Sequence, residues 1–506
     1  MKRITTLFQK YFEDDISGLL LFLAKNLKVV MNGSSLELKA MDPRSRKCPF
    51  SMNDIVWAVV LSFVLNQESR NKANDLFKKK IVRKMVRKLF GIKLPHLDTC
   101  HDVMKELCPS RFRAVLYSIV RLLMSRKILD KEKFEGHFAF LLDGTGVHQI
   151  TFKEEELLSK PLADLDTPVI NNSLFPEKTV HEMPTSESID KIAPTWSTGK
   201  KSKNGQLYFH RDLVVLRCIG SNGLSVIVDW EEINTEDGST KEDCEHNAAI
   251  RLLSRFKTIF KRLKVAVVAD ALYANSTFFD LMEKFGFGYI FTFRQEKLKN
   301  VEKQIIKVKN QASEIGESFL LEQPSLEGFE KTVEVPGPCK DKPDLIQREY
   351  KWINGLGYAG HILNWFSFKE YIPVCNGNYC FAFLTNLKCS KDNIEQLVYT
   401  AKNRNRVEDG FNTLKNRGSS IKHKYSRKSD KAAKNYITLL MVAEAIKSLV
   451  FNADWTQRTY FKTCSKTSVL SLTQNLIVLL NNGIDKLEDM NKCIPTILTF
   501  SMPKID

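Results

Sequence analysis

The 506-residue chain lacks any apolar run of the roughly 18 residues that a membrane-spanning helix needs. Its best runs, AVVLSFVL at 58–65 and ITLLMVAEA at 437–445, are short or interrupted by charge, which argues against a membrane partner. The opening MKRITTLFQKYFEDD has acids where a signal peptide would have its apolar core. The 11 cysteines are odd in number and scattered through apolar contexts such as Cys218 in VVLRCIG. That reads as reduced, intracellular usage and not as a disulfide framework. Cys375, Cys380 and Cys389 cluster loosely, with His361 upstream, but their spacing fits no zinc motif. Internal repeats and low-complexity tracts are absent. Acid is the scarcer charge, with 59 Asp and Glu against 76 Lys and Arg, a net charge of +17. An excess beyond what solubility needs points to a polyanionic partner, and with membranes set aside that is nucleic acid. The 43% hydrophobic content is enough for two to four domains with real cores.

Along the chain, residues 1–135 read as helical and poor in glycine. Their basic block, Lys78 to Lys88, sets Lys80, Lys84, Arg87 and Lys88 near one helix face. Such a face suits phosphate contacts and equally suits plain solvation. At 137 the pattern changes. HFAFLLDG reads as a short buried strand and a turn. Residues 151–205 carry no convincing element and read as a long loop or insertion. LYFHRDLVVLRCIG and LSVIVDWEEI, parted by Ser-Asn-Gly, read as a hairpin. A helix near 242–263, the strand VAVVAD, the helix STFFDLMEKFG and the strand FGYIFTF follow. This is an α/β pattern around one sheet. Residues 295–378 read as a β-rich insertion, and 430–506 as helical.

Asp143 ends one predicted strand and Asp270 another. Acids at the C-terminal edge of an α/β sheet lie where ligands bind, although a turn or helix-cap role is common for each alone. Ser276 and Thr277 suit the cap of the helix after Asp270. A third acid stands in RNRVEDGFNTLK at 404–415, within a helix predicted over 392–418. Val407, Phe411 and Leu414 form its apolar stripe, and Arg404, Glu408 and Lys415 fall on one face beside it. On its own that stretch reads first as a solvated salt-bridge ladder. Three carboxylates from separate elements, with little His or Cys nearby, suit Mg²⁺ or Mn²⁺ and a two-metal phosphodiester chemistry. Asp409 lies about 100° round the helix from Glu408 and breaks the spacing to Lys415. Asp229 and Glu231 read as surface strand acids.

FLLDGTG, VAVVADALYAN and FLTNL followed by AKNRNRVEDGFNTLK, in this order, resemble the DDE transposases of bacterial insertion sequences. The nearest branch is insertion-sequence-four-like. It has a β-rich insertion and a Tyr-Arg-Glu-Lys signature with gaps of two, three and six residues. Arg404, Glu408 and Lys415 fit that spacing, while Ala401 stands at the tyrosine position and Tyr399 lies two residues early. The resemblance covers roughly 137–420 and reaches more loosely to LPHLDTCHDVMKEL. It implies an RNase H-like catalytic core with a β-rich insertion, flanked by helical N- and C-terminal regions.

The domains implied are 1–135, helical with possible DNA binding; 136–294, first part of the core; 295–378, the insertion; 379–428, the third-acid helix; and 429–506, helical. Asp143, Asp270 and Glu408 become the catalytic metal ligands for Mg²⁺ or Mn²⁺. Arg404, Lys415, Arg417, Lys84 and Arg87 become DNA contacts. A flipped base stacked on an aromatic nominates Trp230, Trp196 and Tyr273, each of which is otherwise a core ring. The partners implied are double-stranded DNA, as terminal inverted repeats and target, and a second copy in a homodimer, in a bacterial cytoplasm on the nucleoid. The three acids do not separate a strand-transferring enzyme from a nuclease that only cuts. A catalytically silent, transposase-derived DNA-binding protein is the third reading.

Overall fold

The computed structural model describes residues 17–44, 48–130, 133–152, 197–201, 207–220, 224–234, 238, 241–314, 324–335, 344–372, 377–404, 423, 425–426, 429–461 and 469–482. The fold is mixed α/β with a large mixed sheet. Two compact units divide the chain. The first takes Met1–Lys131, Gly144–Ala248 and Glu408–Ser501; the second takes Glu132–Asp143, Ala249–Val407 and Met502–Asp506.

Helices α1 (Ser17–Ala40), α2 (Met52–Val64), α3 (Arg70–Phe77), α4 (Lys80–Phe90), α5 (Leu97–Glu106), α6 (Pro109–Phe112) and α7 (Ala114–Ser125) come first. Strands β1 (Phe138–Phe152), β2 (Ser197–Lys201), β3 (Leu207–Ile219) and β4 (Ser225–Glu232) follow. Then come α8 (Lys241–Ile259), β5 (Val265–Ala269), α9 (Ser276–Phe285), β6 (Gly288–Thr292) and α10 (Lys299–Glu314). Strands β7 (Leu326–Val335), β8 (Asp344–Tyr358), β9 (His361–Ile372) and β10 (Gly377–Thr385) lead to α11 (Ile394–Lys402). The chain then forms α12 (Asp430–Phe451), α13 (Asp454–Thr456), a π-helical turn at Gln457–Phe461 and α14 (Val469–Asn482).

In the first unit, α12 is the organising core element. Its sequence is apolar on all sides, and nearly every residue from Ala432 to Phe451 is buried, as a core helix requires. It packs on α2, α5 and β4. Asn435 spends its side-chain amide on two carbonyls at the end of α5, Met104 at 2.9 Å and Leu107 at 3.1 Å. β3 and β4 pair antiparallel from Leu213↔Glu232 to Ile219↔Ser225, as the hairpin pattern predicts. An ion network ties the two strands to the start of α12. Arg211 Nη1 lies 2.8 Å from Glu232, Lys434 lies 2.8 Å from both Glu232 and Asp430, and Arg211 also meets Asp430. Among the described residues no single helix is long and apolar enough to cross a membrane.

In the second unit, β1, β5 and β6 are parallel neighbours, with Phe138↔Val265 and Ala266↔Gly288 in register. VAVVA of β5 is buried throughout, the continuous apolar run expected of a parallel strand covered on both faces. Antiparallel β10, β9, β8 and β7 extend the order beyond β6. The β8–β9 hairpin turns at Ala359 and Gly360, both at positive φ (49° and 87°), the type I′ geometry that matches strand twist. Gln304 of α10 clamps this tip by donating to Gly357 O at 2.7 Å and accepting from Gly357 N–H at 3.1 Å.

Five element assignments differ from the sequence expectations. β1 does not stop at Gly144 but runs on to Phe152, so Asp143 lies within a strand. Ser197–Lys201, inside the stretch read as featureless, is a strand paired with β3. The cap of α9 is Asn275, whose side chain accepts from Phe278 N–H, and not Ser276 or Thr277. The 295–378 stretch holds a helix, α10, before its strands. Of the helix predicted over 392–418, α11 ends at Lys402 and Asn403 and Arg404 form a turn, while 405–418 lie outside the described residues.

Candidate active site

Two of the predicted acids belong to the second unit, Asp143 within β1 and Asp270 directly after β5. The β1–β5 register runs Phe138↔Val265 to Leu141↔Val268. Carried two residues further, it sets Asp143 opposite Asp270. Residues at one register on neighbouring parallel strands point to the same face, with backbones about 4.8 Å apart. Both acids are half-buried, at the C-terminal side of β5. The fully buried strands behind them hold this spacing.

Asp270 is locally fixed. It follows β5 directly, and its Oδ1 accepts from Leu272 N–H at 2.8 Å, an Asx turn. Its backbone carbonyl accepts from Tyr273 N–H at 3.3 Å. One carboxylate oxygen is thus spoken for, and among the described residues Oδ2 has no hydrogen-bond donor. The donor set of this pair is hard oxygen only, which suits Mg²⁺ or Mn²⁺. Among the described residues no group of three or more His, Cys, Asp or Glu could hold a metal ion. Glu408, the third predicted ligand, lies outside the described residues, as do Lys415, Arg417 and Trp196.

Arg404 is half-buried in the turn after α11, and its N–H bonds Ala401 O at 3.1 Å. Ala401, at the signature's tyrosine position, is 1% exposed. Tyr399 is half-buried on the same helix.

The two described aromatic candidates are core rings. Trp230 is 0% exposed, donates Nε1–H to Thr438 Oγ1 at 3.2 Å and lies under the Arg113 guanidinium at 4.6 Å. Tyr273 is also 0% exposed and packs edge-on against Phe278. Neither offers a face to a base, because β4 is packed by α12 and α7, and the Tyr273 ring is enclosed beside α9. Asp229, expected on the surface, is fully buried and accepts from Tyr117 OH at 2.8 Å and from Trp230 N–H at 2.8 Å.

Lys84 and Arg87 are exposed on α4, whose opposite face buries Val82, Met85, Val86, Leu89 and Phe90. Of the loose thiol cluster, Cys380 is exposed, Cys389 is buried, and Cys375 lies outside the described residues. His361 is bound instead to Glu283 at 2.8 Å. A feature the sequence did not single out lies in the first unit. An ideal Cβ on Gly144 would stand 2.9 Å from the Glu245 carboxylate, so a side chain at this position would push that acid aside. The signal was present in the acidic KEDCE at the start of α8.

Residues 236–444 match the family model described as "Transposase DDE domain". The matched stretch includes Asp270, Arg404, Glu408 and Lys415 and begins after Asp143. None of the curated proteins matches the chain. The match supports a DDE transposase family.

Proposed function

We propose that this chain is a DDE-type transposase that cleaves double-stranded DNA at the ends of a mobile element and joins the freed 3′-hydroxyls to target DNA. The observation that carries this reading is the β1–β5 register, which, carried two residues past its last pair, sets Asp143 opposite Asp270, in a chain whose 236–444 segment matches a DDE transposase domain. The parallel β1, β5 and β6 support an RNase H-like core, with 295–378 as its insertion.

Asp143 and Asp270, completed by Glu408, are the residues that would hold Mg²⁺ or Mn²⁺. Such ions, when bound, supply activation of water or a 3′-hydroxyl and stabilise the departing oxygen. The Asx turn at Asp270 holds its carboxylate in one orientation before substrate arrives, which lowers the cost of assembling the site. Arg404, Lys415 and Arg417 grip phosphates around the scissile bond. Lys84 and Arg87 of α4 add further contacts to the DNA backbone. Two element ends are paired by a homodimer, in the cytoplasm on the nucleoid.

The test uses purified protein and labelled duplexes carrying the inverted repeats that flank its gene, with Mg²⁺ or with EDTA. Nicking at the repeat boundary that needs metal and vanishes in Glu408→Gln, with binding retained, is the expected result. Binding without cleavage in either protein would replace this reading with the silent DNA-binding one. Cleavage without joining would leave a nuclease.

A further inference from the structure

The surface of α10 carries a charge pattern that the active site does not use. Lys299, Lys303 and Lys307 recur every fourth residue, so they stand one turn apart, about 6 Å, in a stripe about 12 Å long. All three are exposed, while Val301, Ile305 and Val308 of the same helix are buried. None of the three has an ion-pair partner among the described residues. Like charges at i, i+4 cost a helix roughly 0.2–0.5 kcal/mol per pair, so the stripe does not serve the stability of α10.

A second observation falls at the same place. A cleft of about 590 Å³ opens between α10 and the tip of the β8–β9 hairpin, lined by Asn300, Lys303, Gln304, Gly357, Tyr358 and Ala359. Its walls are fixed, because Gln304 bonds both the N–H and the carbonyl of Gly357. Lys303 belongs to both the stripe and the cleft. On the neighbouring flank, Lys309 lies 4.5 Å over the Trp365 ring, and burial, Lys369 and Lys351 together push its ammonium down from the ordinary lysine range. Glu349 balances part of that charge through Lys369 at 3.1 Å and Lys351.

We propose that α10 is a docking element for the backbone of double-stranded DNA, with Lys299, Lys303 and Lys307 on successive phosphates and the cleft beside Lys303 seating one of them. This rests on the reading of the chain as a DNA-acting enzyme and adds a surface within 295–378 to it. A polyanion is the partner that turns an uncompensated stripe into a favourable contact, through release of counterions from the DNA.

The experiment compares the full chain with the triple variant Lys299→Gln/Lys303→Gln/Lys307→Gln. The Kd for a 40-base-pair duplex is measured across a salt series. At about 0.9 per phosphate contact, three lost contacts should flatten the slope of log Kd against log salt by about 2–3. Acetylation footprinting of the wild type should show the three lysines protected by the duplex, and not by inorganic phosphate alone. An unchanged slope, equal labelling with and without duplex, or protection by phosphate alone would overturn the docking proposal. The metal-dependent nicking assay is run alongside. Nicking by the wild type with an unchanged slope in the variant sinks only the α10 proposal, whereas no nicking in either protein sinks the enzymatic reading. All three substitutions are at exposed positions, and equal melting temperatures confirm that folding is untouched.

Discussion

At the residue scale, Asp270 combines a structural and a proposed chemical role, and two substitutions separate them. Asp270→Asn keeps an Oδ1 for the Leu272 N–H. It should melt like the wild type and lose cleavage by roughly a thousandfold, the loss of several kcal/mol of charge stabilisation. Asp270→Ala should lose the same activity and also about 1 kcal/mol of stability, from the lost Asx turn. Thermal melts beside single-turnover cleavage check both; an active Asp270→Asn would remove this residue from the chemistry. Trp230 predicts the reverse. Its enclosed indole and the bond to Thr438 make Trp230→Ala a core lesion of about 3–5 kcal/mol. Chemical denaturation should show that cost, and the folded fraction should bind duplex with unchanged affinity.

At the scale of elements, the first unit depends on the ion network that joins β3, β4 and α12. Burial pushes the Asp430 carboxyl up, but Arg211 and Lys434 outweigh it and hold the group below the ordinary carboxylate range. A carboxylate held low contributes fully above its unfolded value of about 3.9 and loses that contribution as pH falls through the lower folded value. Asp430→Asn should therefore lower the melting temperature at pH 7, and its gap from the wild type should close in strong acid. Nearly half of the Asp430 side chain is exposed, so screening keeps the drop to a few degrees. A gap that persists unchanged at pH 2 would assign the effect to helix capping instead.

What could be read from the sequence also divides by element. β5 and its terminal Asp270 were legible, because a buried parallel strand is an unbroken apolar run. The continuation of β1 was not, since Gly144-Thr-Gly reads locally as a turn and pairing overrides that preference. α10 was masked by its lysines, although Val301, Ile305 and Val308 keep helical spacing. Trp230 was misplaced because Asp229 and Glu231 beside it suggest a surface strand, whereas α12 and α7 pack β4 and Tyr117 partners Asp229.

At the scale of the whole molecule, the net charge of +17 has candidate outlets in α4 and α10, each with an exposed basic face, besides the cations proposed around the scissile bond. Lys84→Gln/Arg87→Gln should flatten the salt dependence of duplex binding by about 2, independently of the α10 variant, because separate contacts add. A slope no flatter than that of the wild type would return α4 to a solvated face. Asp143 and Asp270 are proposed to hold divalent ions at one cleavage site. The most direct measurement is a metal switch: Asp270→Cys and Asp143→Cys assayed for nicking in Mg²⁺ and in Mn²⁺. A thiolate is a poor ligand for hard Mg²⁺ and a better one for Mn²⁺. Each variant should be inactive in Mg²⁺ and regain part of its nicking in Mn²⁺, while Asp→Ala at either position stays inactive in both. Activity of the cysteine variants in Mg²⁺ equal to wild type would contradict the account.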